Sequence, residues 1–350
     1  MPSAMTGEDC TQLPVWNRHF SSPAVSNGTV YFGSRDRNIY ALDAETGEEK
    51  WRFQTGSWVQ SSPVIADGIL YVGSNDSRLY AINAETGETQ WDFKATYAIK
   101  STPAIANGMI YFSADDFQLY AVDVATGLEL WRFKAENHIR SSALVADGIV
   151  YFGSADGYCY ALNARNGKLR LKYDTRSMVK ASPVADEGIV YFNTVRGLLY
   201  AIDGGDKNWP FENIILHYWN ALKAFGMAPS PPAPSGFIWA EWLMGDINSS
   251  PMLSDDILYI GVENRLLAFD TEKRTQLWSF VTGARISSSP AIEEGVVYIG
   301  SEDGHIYALK ATDGTELWNA TTGDEILSSP AIADGVVYLG SNDGTLYAYK

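Results

Sequence analysis

The sequence has 350 residues, with 26 Lys and Arg against 42 Asp and Glu, so its formal net charge is −16. This balance disfavours nucleic acids and anionic membranes as partners, because proteins bind both mainly through Lys and Arg. An apolar share of 46% with only 19% charged residues predicts a folded chain with a large core, whereas disordered chains combine low hydrophobicity with high charge.

The N-terminal segment shows no targeting signal. Residues 1–11 lack a basic stretch followed by an apolar one, and no window of the chain approaches 18 uninterrupted apolar residues. We therefore predict no secretory signal in this sequence and no insertion into a membrane. The two cysteines, Cys10 and Cys159, are too far apart for a Cys-x-x-Cys motif, and we predict neither a disulfide nor a metal site.

From residue 21 onward the chain repeats the motif Ser-Ser-Pro or a near variant. Successive starts are separated by 40, 40, 40, 40, 68, 39 and 40 residues, and they lie at Ser21, Ser61, Ser101, Ser141, Ala181, Ser249, Ser288 and Ser328. Each unit continues with an apolar run, an Asn-Gly or Asp-Gly turn in most units, Tyr-apolar-Gly-Ser, a second turn, Tyr-Ala-apolar-Asp, Thr-Gly and Trp-x-Phe. Two-residue turns of this type join hairpin strands, so the order predicts four short antiparallel strands per unit.

Eight such units predict an all-β fold, an eight-bladed β-propeller that forms a single domain over residues 1–350, because only radial closure covers both ends of a stack of sheets. The chain ends at residues 346–350, one strand short of a complete last blade. We predict that an N-terminal strand within residues 8–20 supplies it. The position ten before Ser21 is Thr11 instead of Trp, and Trp16 would need a shortened loop to take that place.

A tryptophan recurs ten residues before most motif starts, and Leu171 replaces it in the fourth unit. Because each buried indole is worth about 4–6 kcal/mol by area, identical placement predicts packing between blades. The structural set is Trp51, Trp91, Trp131, Trp239, Trp278 and Trp318. Aspartates recur at the second turn, where the residue type caps hairpins by bonding its own backbone, so we expect capping and not calcium binding at Asp36, Asp76, Asp116, Asp156, Asp303 and Asp343.

Functional residues are expected where the repeat is broken. The residue before each motif start varies, and by strand alternation it points away from the aliphatic residue beside it, near one mouth of the central channel. This arc is the candidate anion site and comprises Gln60, Lys100, Arg140, Lys180 and Asn248. Its cations are suited to a carboxylate, a phosphate or an acidic peptide. Alternatively, they pair with Asp116, Asp156 or Glu136 on neighbouring loops.

The second break is an insert over residues 205–236 in the fifth unit, on the side opposite the arc. Apolar residues at helical spacing predict an amphipathic helix over 211–225, and the prolines of 227–235 predict an extended return. The apolar stripe, which includes Ile214 and Leu222, either packs on the propeller's own side or forms a partner-docking patch. The docking candidates are Trp209, Phe211, Tyr218 and Trp219.

The run Tyr-Val-Gly-Ser-Asn-Asp at 71–76, followed by Leu79-Tyr80-Ala81-Ile82-Asn83, Thr86-Gly87 and Trp91-Asp92-Phe93, resembles the repeat of the pyrroloquinoline-quinone-like propellers. The resemblance recurs in all eight units and covers nearly the whole chain outside residues 205–236. It implies eight blades and often an extracytoplasmic location. This family includes quinoprotein alcohol dehydrogenases, an outer-membrane assembly lipoprotein and sensor-like domains of bacterial receptor kinases, so it fixes no single function.

Quinoprotein chemistry is not evident in the residues. The dehydrogenases clamp the quinone between a Trp and a ring formed by adjacent cysteines, above a calcium or lanthanide ion, and here Cys10 and Cys159 are not adjacent. The four histidines are scattered over the units, at His19, His138, His217 and His305. We therefore expect no cofactor, no metal and no catalysis, with a quinone-dependent dehydrogenase as the alternative.

Together these features predict a non-catalytic propeller that binds a protein partner or a small anionic ligand. We interpret it as the sensor or scaffold domain of a larger bacterial or archaeal protein such as a receptor-type kinase, in the periplasm or at the cell surface. An outer-membrane-assembly-type scaffold that needs no small ligand is a further alternative. We expect a monomer or part of a longer chain.

Overall fold

The computed structural model describes residues 10–14 and 21–350, which form 32 strands in eight four-stranded antiparallel sheets and one helix. Blades 1 to 4 follow the chain from inner to outer strand: β2 (Ala24–Ser26), β3 (Thr29–Gly33), β4 (Asn38–Asp43), β5 (Glu49–Gln54); β6 (Val64–Ala66), β7 (Ile69–Gly73), β8 (Arg78–Asn83), β9 (Thr89–Lys94); β10 (Ala104–Ala106), β11 (Met109–Ala114), β12 (Gln118–Asp123), β13 (Glu129–Lys134); β14 (Leu144–Ala146), β15 (Ile149–Gly153), β16 (Tyr158–Asn163), β17 (Leu169–Asp174).

Blades 5 to 8 repeat this order, and the helix α1 (Glu212–Ala224) lies between the third and outer strands of blade 5. Their strands are β18 (Val184–Asp186), β19 (Ile189–Asn193), β20 (Leu198–Asp203), β21 (Phe237–Trp242); β22 (Met252–Ser254), β23 (Ile257–Val262), β24 (Arg265–Asp270), β25 (Thr275–Val281); β26 (Ala291–Glu293), β27 (Val296–Gly300), β28 (His305–Lys310), β29 (Glu316–Thr321); β30 (Ala331–Ala333), β31 (Val336–Gly340), β32 (Thr345–Tyr349). The eight-bladed propeller predicted from the repeat is confirmed.

The last blade is completed by the N-terminal strand β1 (Cys10–Pro14), which pairs antiparallel with β32 as the closing-strand prediction requires. Thr11 lies opposite Ala348, the register that joins Trp91 to Ala81 and Trp318 to Ala308 in complete blades. Thr11 therefore occupies the Trp position, and Trp16 lies outside the described residues.

The two serines of the motif bond in different directions. In most blades the first serine, which is buried, accepts from the second strand of its own blade, as when Gly33 N–H donates to Ser21 Oγ over 2.8 Å. The second serine bonds the next blade: Ser142 N–H donates to Ser182 Oγ over 2.9 Å, and Ser329 N–H donates to Ser22 Oγ over 2.9 Å across the closure. Seven of the eight junctions carry this inter-blade bond from the second position of the motif. The motif thus joins inner strands into a ring.

The recurrent tryptophans join the outer parts of neighbouring blades. Trp131 Nε1 donates to the carbonyl of Ala164 in the next blade over 3.0 Å, and Tyr111 Oη donates to the same carbonyl over 3.2 Å. The indole also lies on Gly167, where an added Cβ would approach Trp131 Cε3 to 2.5 Å. The same Trp-to-carbonyl bond is made by Trp51, Trp91 and Trp278.

The turn aspartates cap their own hairpins, as predicted, and they also connect blades. Asp76 Oδ1 accepts from Arg78 N–H, and its Oδ2 accepts from Tyr80 Oη over 2.8 Å and from Gly56 N–H of the preceding loop over 2.7 Å. In the equivalent contact of blade 1, burial and then the hydrogen bond to Asp36 raise the pKa of Tyr40 to about 12, so this hydroxyl stays protonated and donates at neutral pH. In blades 2, 4, 7 and 8 these contacts hold the loop before the inner strand beside the second turn of the same blade.

The insert covers the free edge of the outer strand of blade 4. Asn208 Oδ1 accepts from Lys172 N–H over 2.6 Å, and Asn213 Nδ2 donates to Lys172 O over 3.0 Å. Exposed strand edges are otherwise prone to pair with other chains. Within the described ranges, no helix has the length and apolarity needed to span a membrane.

Deleting residues 1–20 removes β1 and its five paired positions, so we expect the melting temperature of the protein to fall sharply. Thermal unfolding followed by circular dichroism measures this. A synthetic peptide of residues 8–20, added in trans, should recover part of the loss. An unchanged melting temperature in the truncated protein contradicts closure by this strand.

Two glycines in the left-handed region separate backbone strain from Trp packing. Gly108 (φ 73°) has nothing within 4 Å of an added Cβ, whereas a Cβ on Gly127 (φ 69°) would lie 2.5 Å from Trp91 Cε3. We expect Gly108→Ala to cost about 1–2 kcal/mol for the left-handed backbone, and Gly127→Ala to cost about 1–3 kcal/mol more for overpacking. Urea denaturation gives both free energies of unfolding; equal losses would show that the indole contact is unimportant.

Candidate functional site

Two members of the predicted anion arc are engaged within their own blades. Lys100 Nζ lies 2.5 Å from Asp115 Oδ2, and Gln60 Oε1 accepts from Asn75 Nδ2 over 2.9 Å. The alternative that the cations pair with Asp116, Asp156 or Glu136 names the wrong partner for Lys100, which pairs with Asp115, one residue before the turn aspartate. In both blades the residue before the motif start contacts the residue fifteen positions further along the chain. Lys100 is therefore not a free cation.

The other three members of the arc, Arg140, Lys180 and Asn248, are exposed. Within residues 21–350, Arg140 and Lys180 have no ion-pair partner. The bond from Ser142 N–H to Ser182 Oγ joins the two inner strands two residues beyond Arg140 and Lys180, so these cations lie on adjacent blades. The structure thus reduces the predicted arc to two neighbouring free cations in blades 4 and 5.

The helix of the insert, predicted over 211–225, exposes its apolar stripe to solvent. Exposed fractions are 74% for Phe211, 57% for Ile214, 67% for Tyr218 and 77% for Phe225, and Ile215 and Leu222 are exposed as well. The expectation that this stripe packs on the propeller's own side is wrong for these residues. A helix period identifies one apolar face but does not say which way that face points.

The other two docking candidates flank this stripe. Trp209 is 37% exposed just before the helix, and Trp219 is half-buried, with its Nε1 donating to Pro229 O over 3.1 Å. Trp219 therefore holds the proline-rich return segment against the helix. We define the outward face as Phe211, Ile214, Ile215, Tyr218, Leu222 and Phe225.

Polar contacts anchor the opposite face of the helix. Glu212 is buried (1% exposed), and its carboxylate accepts from Trp209 N–H and Asn208 Nδ2 before the helix. It also accepts from the backbone N–H and the hydroxyl of Ser235, 23 residues away at the end of the insert, over 2.6 and 2.7 Å. A buried carboxylate with four donors closes the insert at its base, and Leu216 is the buried apolar residue beside it.

A groove of about 640 Å³ lies between the insert and the end of β17. Asp174 and Arg176 of blade 4 line one side of it. The helix contributes the polar side chains of Asn213, His217 and Asn220. The apolar part of the lining comprises Leu216, Ala221, Pro231, Pro232 and Pro234. This volume is in the range of ordinary ligand pockets.

The cysteines and histidines do not converge. Cys159 is 1% exposed in the core of blade 4, where burial raises the pKa of its thiol to about 12, while Cys10 is in the outer strand of blade 8. His138 faces Asp115, His305 contacts Asp303, His217 is exposed, and His19 lies outside the described residues. Over residues 10–14 and 21–350, no three His, Cys, Asp or Glu side chains are grouped to hold a metal ion.

Two further cations of blades 4 and 5 were missed in the sequence. Arg196 occupies the second-turn position at which six blades have the capping aspartate, and Arg176 begins the loop beside it. With no aspartate to accept it, the Arg176 N–H donates to Asp174 Oδ1 over 2.9 Å, and Arg176 takes a left-handed backbone (φ 56°). Aligning the turns across all eight units, including the fifth, would have revealed Arg196.

Comparison with known families identifies this fold. The sequence profile of the family described as "outer membrane protein assembly factor BamB" matches residues 3–98, 67–214 and 262–350. The chain therefore belongs to this family, and the resemblance to the pyrroloquinoline-quinone-like propellers is confirmed. No curated protein sequence matches the chain significantly.

Several solved structures share the fold. BamB from Moraxella catarrhalis is 14% identical with a TM-score of 0.74, covering 97% of this chain and 100% of its own. The computationally designed protein Ika8 is 18% identical with a TM-score of 0.80, covering 97% and 98%. Quinohemoprotein alcohol dehydrogenase from Comamonas testosteroni is 14% identical with a TM-score of 0.74, covering 100% of this chain and 78% of its own. These similarities establish the propeller fold.

Proposed function

We propose that this member of the BamB family is a non-catalytic protein-binding module, and that the outward face of α1 is its docking surface. The name of the family, an assembly factor, supports a protein as the partner. We place the module in the periplasm or at the cell surface of a bacterium or archaeon. It acts there as a scaffold, or as the sensor part of a larger protein.

The observation that carries this proposal is the inverted orientation of α1. An amphipathic helix on a monomeric protein normally buries its apolar face and exposes its polar one. Here Glu212 is buried while Phe211, Tyr218 and Phe225 are each at least two-thirds exposed. Contiguous exposed apolar surface of this kind marks an interaction site, since burying each large side chain is worth about 1.5–3 kcal/mol.

The shape of the outward face favours a grooved protein over a second copy of this chain. Thirteen residues of helix at 1.5 Å each give a length of about 20 Å. One face of such a helix is small against the roughly 800 Å² per partner of a standard interface. The positions 211, 214, 215, 218, 222 and 225 instead follow the spacing by which a helix inserts into a partner's groove.

Photo-crosslinking from this face tests the proposal. In cells of the source organism, p-benzoylphenylalanine in place of Tyr218 or Phe225 should form one discrete adduct with another protein, because these exposed side chains contact the partner. The same probe at Leu128, which is 67% exposed on the turn of blade 3, is the matched control and should give none. The triple variant Ile214→Ser/Leu222→Ser/Phe225→Ser with the probe at 218 should lose the adduct.

Other outcomes of this experiment contradict the proposal. An adduct of doubled mass would show that a second copy covers the face, and the absence of a protein adduct at both positions would show that the face has no protein partner. Since the substituted residues are exposed, circular dichroism should show an unchanged fold in each variant.

The alternative is a quinone-dependent dehydrogenase, which is the activity named for one of the similar structures. The residues here do not fit the quinone clamp described for that class, because Cys159 is buried in blade 4 and Cys10 is in blade 8. No reaction step follows from these residues.

Incubation with pyrroloquinoline quinone and Ca²⁺ separates the two functions. We expect no saturable quenching of tryptophan fluorescence and no dye-linked alcohol oxidation, because the cysteines that would clamp the quinone are in different blades. A commercial quinoprotein dehydrogenase serves as the positive control. Stoichiometric quenching together with turnover would overturn the non-catalytic proposal.

A further inference from the structure

The departures from the repeat concentrate in blade 5. Ala181 replaces the first serine of the motif, Asn193 replaces the Gly or Ser of the other blades, and Arg196 replaces the turn aspartate. Asn193 is 1% exposed, and its amide atoms meet no hydrogen-bonding partner in the described part of the chain. The insert and the missing Trp at Leu171 affect the same boundary between blades 4 and 5. In a fold whose other blades repeat closely, this boundary is the place where a specific site is expected.

On one face of the ring, cations outnumber carboxylates in blades 4 and 5, whereas carboxylates outnumber cations in blades 6 to 8. The loops and second turns of blades 4 and 5, residues 135–140, 154–158, 175–180 and 194–198, contain four cations and two carboxylates. The four cations, which we call the cationic sector, are Arg140, Arg176, Lys180 and Arg196. The equivalent segments of blades 6 to 8, residues 243–248, 262–265, 282–287, 301–305, 322–327 and 341–345, contain seven carboxylates and two cations.

A backbone contact brings two cations of the cationic sector together, and no ion pair neutralises the charges of the four within residues 21–350. Val195 N–H donates to Met178 O over 3.0 Å, which brings the turn with Arg196 beside the loop with Lys180. All four cations are exposed, and none has an ion pair within residues 21–350.

The carboxylates near the cationic sector are largely engaged. Glu136 pairs with Lys172, and Asp156 accepts from its own turn, from Tyr160 Oη and from Glu136 N–H. Asp174 is exposed two residues before Arg176, and its Oδ1 accepts the Arg176 N–H. Four exposed cations on two blades form a local attraction for anions in a chain of net charge −16.

From this arrangement we infer that the cationic sector binds an acidic peptide segment. The cations are spread along loops instead of converging in one cavity, which suits a chain with several carboxylates better than a single small anion. This site goes beyond the proposed docking function of α1 and does not depend on it.

The groove beside the insert favours a peptide over a polynucleotide. Arg176 lines one end of it, and Asn213 and Asn220 follow along α1. The Nδ2 atoms of these two residues donate to Lys172 O and Leu216 O, which leaves both Oδ1 atoms as acceptors. Asn213 and Asn220 are seven residues apart, which is about 10.5 Å along the helix axis. An extended peptide covers this distance with roughly three residues. Peptide N–H groups supply donors to such acceptors, whereas a phosphodiester backbone has none.

Fluorescence anisotropy with labelled hexaglutamate tests the site. Arg196→Asp restores the carboxylate that six other blades have at this position, so it is compatible with the fold, and Arg140→Gln/Lys180→Gln removes the two inner cations. Each variant changes the net charge by −2. The matched control is Arg52→Gln/Arg132→Gln, which changes the charge equally but removes cations paired with Glu49 and Glu129 on outer strands of blades 1 and 3.

We expect wild-type protein to bind hexaglutamate, and each cationic-sector variant to bind it at least about tenfold more weakly, since the charge-assisted hydrogen bonds of the substituted cations are lost. The control should change the affinity less than about twofold, and added salt should weaken wild-type binding. Hexaglutamine should not compete.

Three results overturn the inference. Equal weakening in the control shows a general effect of net charge, and equal or tighter binding of a thymidine heptanucleotide, which has six phosphates, shows a site for polyanions of another class. Failure of the wild type to bind hexaglutamate excludes the site.

Discussion

Ring closure depends on one hydrogen bond repeated around the axis, from the backbone N–H of the second motif position to the serine hydroxyl of the next blade. Its distances lie between 2.9 and 3.1 Å at seven junctions. At the remaining junction, between blades 2 and 3, Ser61 Oγ donates to Ser101 O over 2.8 Å. Each bond is worth only about 1 kcal/mol net, but the inner strands are three residues long and offer few ladder bonds of their own. The acceptor in each of the seven bonds is a short hydroxyl side chain, and seven of the eight blades have Ser at this position. The eighth has Thr102, at the junction where Ser61 supplies the contact instead.

Three levels of contact repeat outward from this ring. The motif serines join the inner strands, and the turn aspartates of blades 2, 4, 7 and 8 hold the preceding loop. The tryptophans with their tyrosine neighbours reach the next blade near its rim. Because each level joins adjacent blades, one blade can lose a contact while the others retain theirs. Blade 5 lacks both the first serine and the turn aspartate, yet Ser182 N–H still donates to Ser250 Oγ and Tyr151 Oη still donates to Gly204 O over 2.9 Å. This redundancy lets one sector of the ring diverge toward binding without opening the propeller.

The sequence predicted the features that have a local cause. Turn dipeptides and the spacing of Ser-Ser-Pro indicated the strands and the eight blades, and the incomplete last unit indicated a strand near Thr11. What it could not predict depended on contacts between residues that are distant in the chain. The partner of Lys100 is Asp115 because two residues fifteen apart meet across one blade, and Arg196 becomes relevant only once its turn lies against the loop that contains Lys180. Likewise, helical spacing located the stripe around Tyr218 but could not show that Glu212, with its four donors, would determine which face points inward.

The polar anchoring of α1 has a thermodynamic consequence for recognition. If Tyr218 and Phe225 were packed on blade 4, their burial would already stabilise the free protein and none of it would remain to drive association. Instead Asn208 accepts from the Lys172 N–H and Asn213 donates to the Lys172 carbonyl at the rim of blade 4, while Glu212 accepts from donors within the insert. Those bonds contribute little net free energy. The helix is thus held in position by interactions whose main effect is geometric. The apolar face of the helix is buried only when a partner binds. Because the helix is already folded in the free protein, binding does not include the loss of conformational entropy on ordering it.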